Sequence, residues 1–213
     1  MSLDTRHDAF ILAQTELIAP PLVPEIQLFL AASAYEIFEA AYGSDPDGLR
    51  PYWAFAWPGG QALARHLLDH RGLVAGKRVL DLGAGSGLGA IAAMKAGARL
   101  AIAADIDPVS AAACRLNAAA NLVSVDATTD DLLGRDVDAD VILVGDLVYE
   151  PELKDRVGTF LSTHVRRGIT IFYADRTTAR RPPGTFRLLA EHTAALTPAL
   201  EDGYTERARV WQL

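Results

Sequence analysis

Half of the 213 residues are hydrophobic, which is enough for one sizeable core and excludes intrinsic disorder. The 27 acidic residues outnumber the 20 basic ones and give a formal net charge of -7, so a general attraction to nucleic-acid phosphates is not expected. Cys114 is the only cysteine, which excludes an internal disulfide and a zinc cluster built from thiolates.

The first residues include acids and lack a basic region ahead of the first apolar run. They therefore predict neither a secretory signal nor a transit peptide, and with the single cysteine they favour a cytoplasmic protein. The small-residue stretch 83–104 is interrupted by Lys95 and Arg99, so we expect neither a membrane-spanning segment nor a membrane partner.

The sequence predicts that the N-terminal quarter forms a separate layer. Three prolines precede a dense apolar pattern over residues 25–41, which predicts a segment packed on the domain, and a loop follows at 43–48. We expect one domain over residues 1–213. Within it, residues 1–58 would form a cap on the substrate side and residues 59–213 a Rossmann-like core.

The core alternates strand-like and helical segments. Leucines at helical spacing predict a helix from about Gly60 to His70. At the other end of the core, residues 193–196 and 208–212 suggest the two strands of an antiparallel hairpin around 201–203. Residues 177–184 read as an exposed loop. Such alternation predicts an α/β fold whose sheet is mostly parallel and whose ligand site lies at the carboxyl ends of the strands. The predicted parallel strands are Arg78–Leu82, Leu100–Ala104, Val123–Val125, Val141–Val144 and Ile169–Tyr173.

The glycine turn after the first of these strands is the strongest ligand signal. Gly83, Gly85 and Gly87 follow an apolar run, as in turns that bring backbone amides close to a nucleotide. A dinucleotide fingerprint counted from the strand end needs glycine or alanine where Leu88 stands, which disfavours NAD. A second frame, through Ala90, fits that fingerprint but starts two residues late.

Two acids follow the next strands. Asp105 ends the second strand about 20 residues after the glycine turn, where a carboxylate can accept hydrogen bonds from ribose hydroxyls. Asp107 is the alternative, although its position before Pro108 favours a helix cap. Asp126 follows the third predicted strand and would accept a hydrogen bond from the adenine amino group. A solvated loop acid is the alternative there.

Asp146 and Tyr149 follow the fourth strand and are the predicted catalytic residues. The Gly83-x-Gly85-x-Gly87 frame resembles motif I of the seven-stranded methyltransferases, which implies a methyl transfer. Such a transfer needs an aligned nucleophile, so a carboxylate and a phenol would hold and desolvate a lysine amine. The alternative is an acid that caps a turn and a tyrosine that packs on the rim. Trp57 is a predicted aromatic wall for the cofactor or for a lysine stem, with core packing as its alternative. The histidines lack metal-ligand motifs, so no metal is expected.

Several segments resemble the lysine methyltransferases of the electron-transfer flavoprotein β subunit, within the seven-stranded class that uses S-adenosylmethionine (AdoMet). The resemblance implies that fold, AdoMet as cofactor with S-adenosylhomocysteine as product, and the flavoprotein β subunit as protein substrate. It departs from the family at Ala104, where asparagine is frequent, and from Arg176 onward, where the family often has Asp-Pro-Gly-Arg and this chain has Asp175-Arg176-Thr177-Thr178. The matching segments are 24–28, 51–54, 57–63, 79–87, 90–93, 105–108, Asn117, Asn121, 145–146, Tyr149 and 174–176. The predicted cofactor residues are Trp57, Asp81, Gly83, Gly85, Gly87, Asp105, Ile106 and Asp126.

Two other functions stay open on the sequence alone. The acceptor of an AdoMet-dependent enzyme could be a ribosomal protein or a small amine. The glycine turn is also compatible with a nucleotide-binding interaction module or an NAD-linked oxidoreductase.

Overall fold

A computed structural model describes residues 3–44, 50–148, 151–176, 181–195 and 205–213. The N-terminal part forms two helices and a small antiparallel hairpin, followed by a 3₁₀ turn at Tyr52–Ala54. Its elements are α1 (Leu3–Gln14), β1 (Glu16–Ile18), β2 (Leu28–Leu30) and α2 (Ala34–Ser44).

Among the remaining described elements, helices lie between most of the parallel strands, as the sequence predicts. These α-helices and strands are α3 (Pro58–Asp69), β3 (Arg78–Leu82), α4 (Leu88–Lys95), β4 (Leu100–Ala104), α5 (Pro108–Ala120), β5 (Asp126–Thr128), β6 (Val141–Gly145), α6 (Pro151–Arg166), β7 (Thr170–Asp175), β8 (Arg187–Ala195) and β9 (Thr205–Gln212).

The main sheet has the order β5-β4-β3-β6-β7-β9-β8. Its first five strands run parallel, whereas β9 pairs antiparallel with both β7 and β8. The central strands are buried apolar runs, because helices cover both faces of the sheet. The predicted α/β class with an antiparallel C-terminal hairpin is confirmed. Among the described helices, none is long and apolar enough to cross a bilayer.

The third parallel strand is displaced from its predicted position. It covers Asp126–Thr128 rather than Val123–Val125. Both valines are partly buried against the hydrophobic clusters beneath the N-terminal segment and α4, so their apolar character reflects helix packing rather than strand pairing. The Val123 amide donates to the Ala118 carbonyl, which keeps this stretch tied to the end of α5.

Other boundaries shift by a few residues. Helix α3 begins at Pro58, which is favourable because proline lacks the amide hydrogen that a first helical turn leaves unpaired. Strand β7 continues to Asp175, and both hairpin strands are longer than predicted. In the predicted loop, Pro182 is buried rather than exposed and lies near Gly158. Positions 177–180, Leu196 and 201–203 lie outside the described residues.

The N-terminal segment packs on the core, as predicted. Asn117, which is fully buried on α5, accepts the Phe29 amide at 2.7 Å and donates to the Ser86 carbonyl at 2.8 Å. Asn121 accepts the Gln27 amide at 3.0 Å and donates to its carbonyl at 2.6 Å. These two side chains therefore connect β2 and the residue before it to the C-terminal end of α5. Asn117 also connects α5 to the glycine turn.

Replacing Asn117 with Ala should lower the free energy of unfolding by about 2 to 4 kcal/mol, because two buried backbone groups lose their partners. Denaturant unfolding followed by circular dichroism measures the loss. The control is Ala119→Ser at an exposed position of the same helix, expected within about 0.5 kcal/mol of the unsubstituted chain. A similar small effect in both variants would contradict the structural role of Asn117.

Candidate functional site

The candidate site lies at the carboxyl edge of the sheet, between β3 and β6. The chain runs outward from β3 through β4 to β5, and then returns to place β6 on the other side of β3. A crevice forms at such a reversal because the two following connections diverge to opposite faces. The glycine turn follows β3 at this edge, and Asp146 follows β6 there.

The glycine turn needs glycine for its backbone. Gly83, Gly85 and Gly87 have φ values of 68°, 52° and 80°, a region that side chains disfavour. A Cβ on Gly83 would collide with Cδ1 of Leu147, whereas one on Gly85 would only contact the Trp53 Cα at 3.8 Å. Gly85 is thus required by its backbone conformation and not by a collision.

Asp81 is buried within β3 and holds the start of α4. Its Oδ2 accepts the Ala90 amide at 2.8 Å, in the first turn of that helix. A Cβ on Gly89 would lie 2.7 Å from this oxygen, so glycine is required for the approach. Burial raises the pKa of Asp81 to about 7 against the opposing effect of the Ala90 hydrogen bond. Its predicted contact with a cofactor remains a prediction.

Asp105 lies at the end of β4 and faces the glycine turn. Its Oδ2 accepts the Gly85 amide at 2.9 Å and its Oδ1 accepts the Asp107 amide at 3.0 Å. Burial raises its pKa, and these two hydrogen bonds oppose that rise. Asp107 caps α5 by accepting the Val109 amide at 2.8 Å, as its position before Pro108 predicts.

Two further cofactor candidates, Ile106 and Asp126, lie in different places. Ile106 follows Asp105 directly and is 56% exposed, which is high for a large apolar residue at this edge. Asp126 is the first residue of β5, not the residue after it, and is exposed at the amino end of that strand. The strand-end argument for Asp126 is therefore wrong. The acids that do follow β5 are Asp130 and Asp131.

Asp146 caps the N-terminus of α3 across the sheet edge. Its Oδ2 accepts the Gly59 amide at 2.6 Å and the Gly60 amide at 3.2 Å. Two amide donors and the positive end of a helix dipole stabilise a carboxylate here. The alternative interpretation, in which this acid caps a turn, is thus correct in kind. The helix it caps lies 87 residues earlier and is not the one that follows.

This contact explains why residue 59 is glycine. A Cβ on Gly59 would lie 2.6 Å from Oδ2 of Asp146, and one on Gly145 would lie 3.2 Å from the Gly60 Cα. Asp146 itself has a φ of 49°, so its backbone is held in a conformation uncommon for a non-glycine residue. Its pKa is raised to about 6 by burial, which Arg176 and the two glycine amides oppose.

Trp57 immediately precedes α3 and lies beside Asp146. Its indole nitrogen donates to the Tyr52 carbonyl at 3.0 Å, and its ring packs edge-on against Phe55. The Arg176 guanidinium lies over this ring, with Cζ 5.4 Å from its centroid. Trp57 therefore packs against a neighbouring aromatic residue, as its alternative role requires, and its ring also contacts the Arg176 cation.

Sequence reasoning missed Arg176 and Glu206 as parts of this edge. Arg176 directly follows β7, so its strand-end position was a usable signal, whereas Glu206 is brought in only by hairpin pairing. Tyr149 lies outside the described residues. Among the part of the chain that the structure describes, no three His, Cys, Asp or Glu side chains converge as metal ligands.

Comparisons with known proteins place this geometry in context. The chain is 43% identical over 160 residues to the electron transfer flavoprotein beta subunit lysine methyltransferase of Xenopus laevis, covering 74% of this chain and 65% of that protein. The Homo sapiens protein of the same name is 39% identical over 162 residues, covering 75% and 62%. The chain is similar to these lysine methyltransferases over about three quarters of its own length. It spans less than two thirds of their length.

The chain also matches a broader family and solved folds. Residues 62–149 match the family described as ribosomal protein L11 methyltransferase (PrmA). A putative RNA methyltransferase from Pyrococcus horikoshii has a TM-score of 0.57 at 15% identity, covering 84% of this chain and 96% of that one. A 16S rRNA methyltransferase from Thermus thermophilus, solved with AdoMet and guanosine, has a TM-score of 0.52 at 20% identity, covering 73% and 42%. At these identities the two structures confirm the predicted fold.

Gly59 and Gly60 provide a matched pair of substitutions. Gly59→Ala should lower the free energy of unfolding by about 1 to 3 kcal/mol, because the new methyl group displaces the Asp146 carboxylate from two amides. Gly60→Ala should be neutral or stabilising by up to about 1 kcal/mol, since its Cβ would meet only Leu88 at 3.9 Å. Denaturant unfolding of both variants measures the difference. Equal stability would show that the Asp146 contact with α3 contributes nothing.

Proposed function

We propose that the chain is an AdoMet-dependent protein-lysine N-methyltransferase acting on the electron-transfer flavoprotein β subunit. The observation that carries the proposal is that Asp146 and the face of Trp57 lie at the same sheet edge as the glycine turn and Asp105. A nucleoside-type site and a site suited to a cationic side chain therefore adjoin. We propose the flavoprotein β subunit as the substrate because the names of the similar proteins give it as theirs.

The residues of this edge fit AdoMet. Each oxygen of Asp105 accepts one backbone amide and keeps a further lone pair for a ribose hydroxyl. The exposed Ile106 offers an apolar surface suited to a purine ring, and Gly85, which is partly exposed, has no side chain to keep a ligand from its backbone. When bound, AdoMet supplies an electrophilic methyl group on a sulfonium. We assign the cofactor to Gly83, Gly85, Gly87, Asp105 and Ile106.

At the acceptor side, the protein must hold a lysine and leave its amine neutral. Lysine amines have pKa values of about 10.4 in water, so most are protonated at neutral pH. Trp57 offers an aromatic face for the stem and Asp146 a carboxylate for the amine, and the amine's proton leaves to water. Tyr149, three residues after Asp146, is proposed as a second polar group that orients the amine.

A protein acceptor also agrees with the charge of the chain. The net charge of -7 disfavours binding along a phosphate backbone, although RNA methyltransferases share the fold. The segment after β7 differs from the pattern of the flavoprotein enzymes, with Asp175 and Arg176 followed by threonine. This rim would meet the substrate, so the acceptor is where this chain could differ from its homologues.

A second candidate acceptor is a ribosomal protein. The match of residues 62–149 to the ribosomal protein L11 methyltransferase family supports it, because that range contains the glycine turn, Asp105 and Asp146. Such an enzyme would use the same cofactor site and the same amine chemistry. Mass spectrometry of proteins labelled in a matched lysate distinguishes the two acceptors.

Replacing Asp105 with Asn should weaken AdoMet binding at least about tenfold, because one charge-assisted hydrogen bond to the ribose is lost. Isothermal titration calorimetry measures the dissociation constant, and NAD serves as the competing nucleotide. Asp126→Asn is the control, expected within about twofold of the unsubstituted chain because Asp126 lies at the amino end of β5. Stronger binding of NAD than of AdoMet would favour an oxidoreductase.

Replacing Asp146 with Asn should lower methyl transfer to purified flavoprotein β subunit at least about 100-fold while AdoMet binding stays unchanged. Asn keeps an oxygen for the Gly59 and Gly60 amides, so the capping of α3 is retained where Ala would remove it. Labelled AdoMet and peptide mass spectrometry give the rate and the modified lysines. Unchanged methylation by this variant would refute the acceptor role. Saturable AdoMet binding without any methylated product would favour a binding module.

A further inference from the structure

Arg176 makes three contacts at the acceptor side of the site. Its Nε lies 3.9 Å from Oδ1 of Asp146, and its Cζ lies 5.4 Å from the centroid of Trp57. Its Nη1 lies 3.1 Å from Oε2 of Glu206 and 3.4 Å from Oε1, so β9 holds the other end of the guanidinium. The side chain is 38% exposed. A permanent cation therefore sits between the carboxylate and the aromatic face.

A carboxylate alone would hinder methyl transfer to lysine. A negative charge within a few ångströms stabilises an ammonium and raises its pKa, so the neutral amine becomes rarer by tenfold for each unit. Asp146 is well desolvated, with a side chain only 11% exposed, so its charge is weakly screened by water. The site needs an opposite charge close to Asp146 if the amine is to lose its proton.

We propose that Arg176 is a positioning residue that offsets the charge of Asp146, so that a substrate lysine can be held at this carboxylate as a neutral amine. The inference rests on the proposed lysine methyltransferase function and deepens it. In the step, the amine lone pair forms the N–CH₃ bond as the S–CH₃ bond breaks, and the sulfur keeps the bonding pair. The proton from nitrogen leaves to water.

The other charged groups near Asp146 make this offset necessary. Asp175, next to Arg176 on β7, raises the pKa of Asp146 further, and Glu206 adds a third negative charge through Arg176. Tyr173 also faces the pair of acids, and burial raises the pKa of its phenol far above the neutral range. These groups bring no positive charge of their own to Asp146.

The other arginines of this region contact side chains other than Asp146. The Arg181 guanidinium lies over the rings of Phe186 and Trp211, at 4.8 and 4.1 Å from their centroids. Arg209 pairs with Glu191 at 2.6 Å. Among the residues that the structure describes, Arg176 is the cation whose ion pair reaches Asp146.

The test uses the full chain with two neutral variants of different shape, Arg176→Gln and Arg176→Met. Met keeps an apolar stem against Trp57, and Arg176→Lys keeps the positive charge. Arg207→Gln is the control, because Arg207 is 74% exposed on β9 and pairs with Glu191 instead. Thermal unfolding of each variant first confirms that it folds.

Two readouts are measured. Carboxyl-detected NMR titration of the free protein should show a higher pKa for Asp146 in both neutral variants, since a positive neighbour lowers a carboxyl pKa. The pH dependence of kcat, with AdoMet and β subunit saturating, reports groups in the enzyme–substrate complex. Its acidic limb should move to higher pH by about one unit, equivalent to roughly a tenfold lower kcat on that limb. Arg176→Lys and Arg207→Gln should keep the limb of the unsubstituted chain.

The outcomes separate the inference from the function on which it rests. If the unsubstituted chain methylates lysine and the neutral variants keep its pH limb, only the inference is overturned. Faster transfer by the neutral variants across the whole pH range would show instead that Arg176 competes with the substrate amine. If the unsubstituted chain methylates no lysine, the proposed function fails and the inference fails with it. The NMR titration would then still measure the coupling between Arg176 and Asp146.

Discussion

Buried carboxylates that bind helix N-termini are the interaction on which this structure depends. Asp81 holds α4, Asp107 holds α5 and Asp146 holds α3, each through backbone amides of the first helical turn. A buried carboxylate is costly unless it is hydrogen-bonded, and the amides and dipole of a helix N-terminus offset that cost. The contacts of Asp81 and Asp146 hold α4 and α3 at the carboxyl edge of the sheet, and Asp107 caps α5 where that helix follows β4. The edge where a ligand would bind is therefore also where the layers are joined.

The same contacts dictate where glycine is needed. Gly59 and Gly89 occupy equivalent places in their helices, and a Cβ at either would collide with the carboxylate that holds the helix. The glycines of the turn after β3 have a different reason, because their backbone adopts positive φ values. Gly59, in the Trp-Pro-Gly-Gly segment at 57–60, thus has a structural explanation that does not require a ligand, because it lets α3 approach Asp146.

A carboxylate with a structural role can still act in chemistry because it has two oxygens. The amides of α3 use Oδ2 of Asp146, and Oδ1 faces Arg176. Holding one oxygen fixes the orientation of the other, which is the preorganisation that methyl transfer requires. The raised pKa of Asp146, about 6, still leaves the group ionised at neutral pH. The Asp146 side chain therefore both caps α3 and is the proposed contact of the substrate amine.

The sequence by itself determined the βαβ order, the glycine turn, the position of Asp105 and the cap at Asp107, because these follow from local spacing and strand ends. Tertiary structure decided the partners of Asp146, which lie 87 residues earlier, and brought Arg176 and Glu206 beside it through strand pairing. It also decided that the third parallel strand lies at Asp126–Thr128 rather than at its predicted position, because Val123 and Val125 pack against helices instead. Local pattern reports which residues are apolar or lie at a strand end. Which distant backbone or charge meets them depends on how the layers pack.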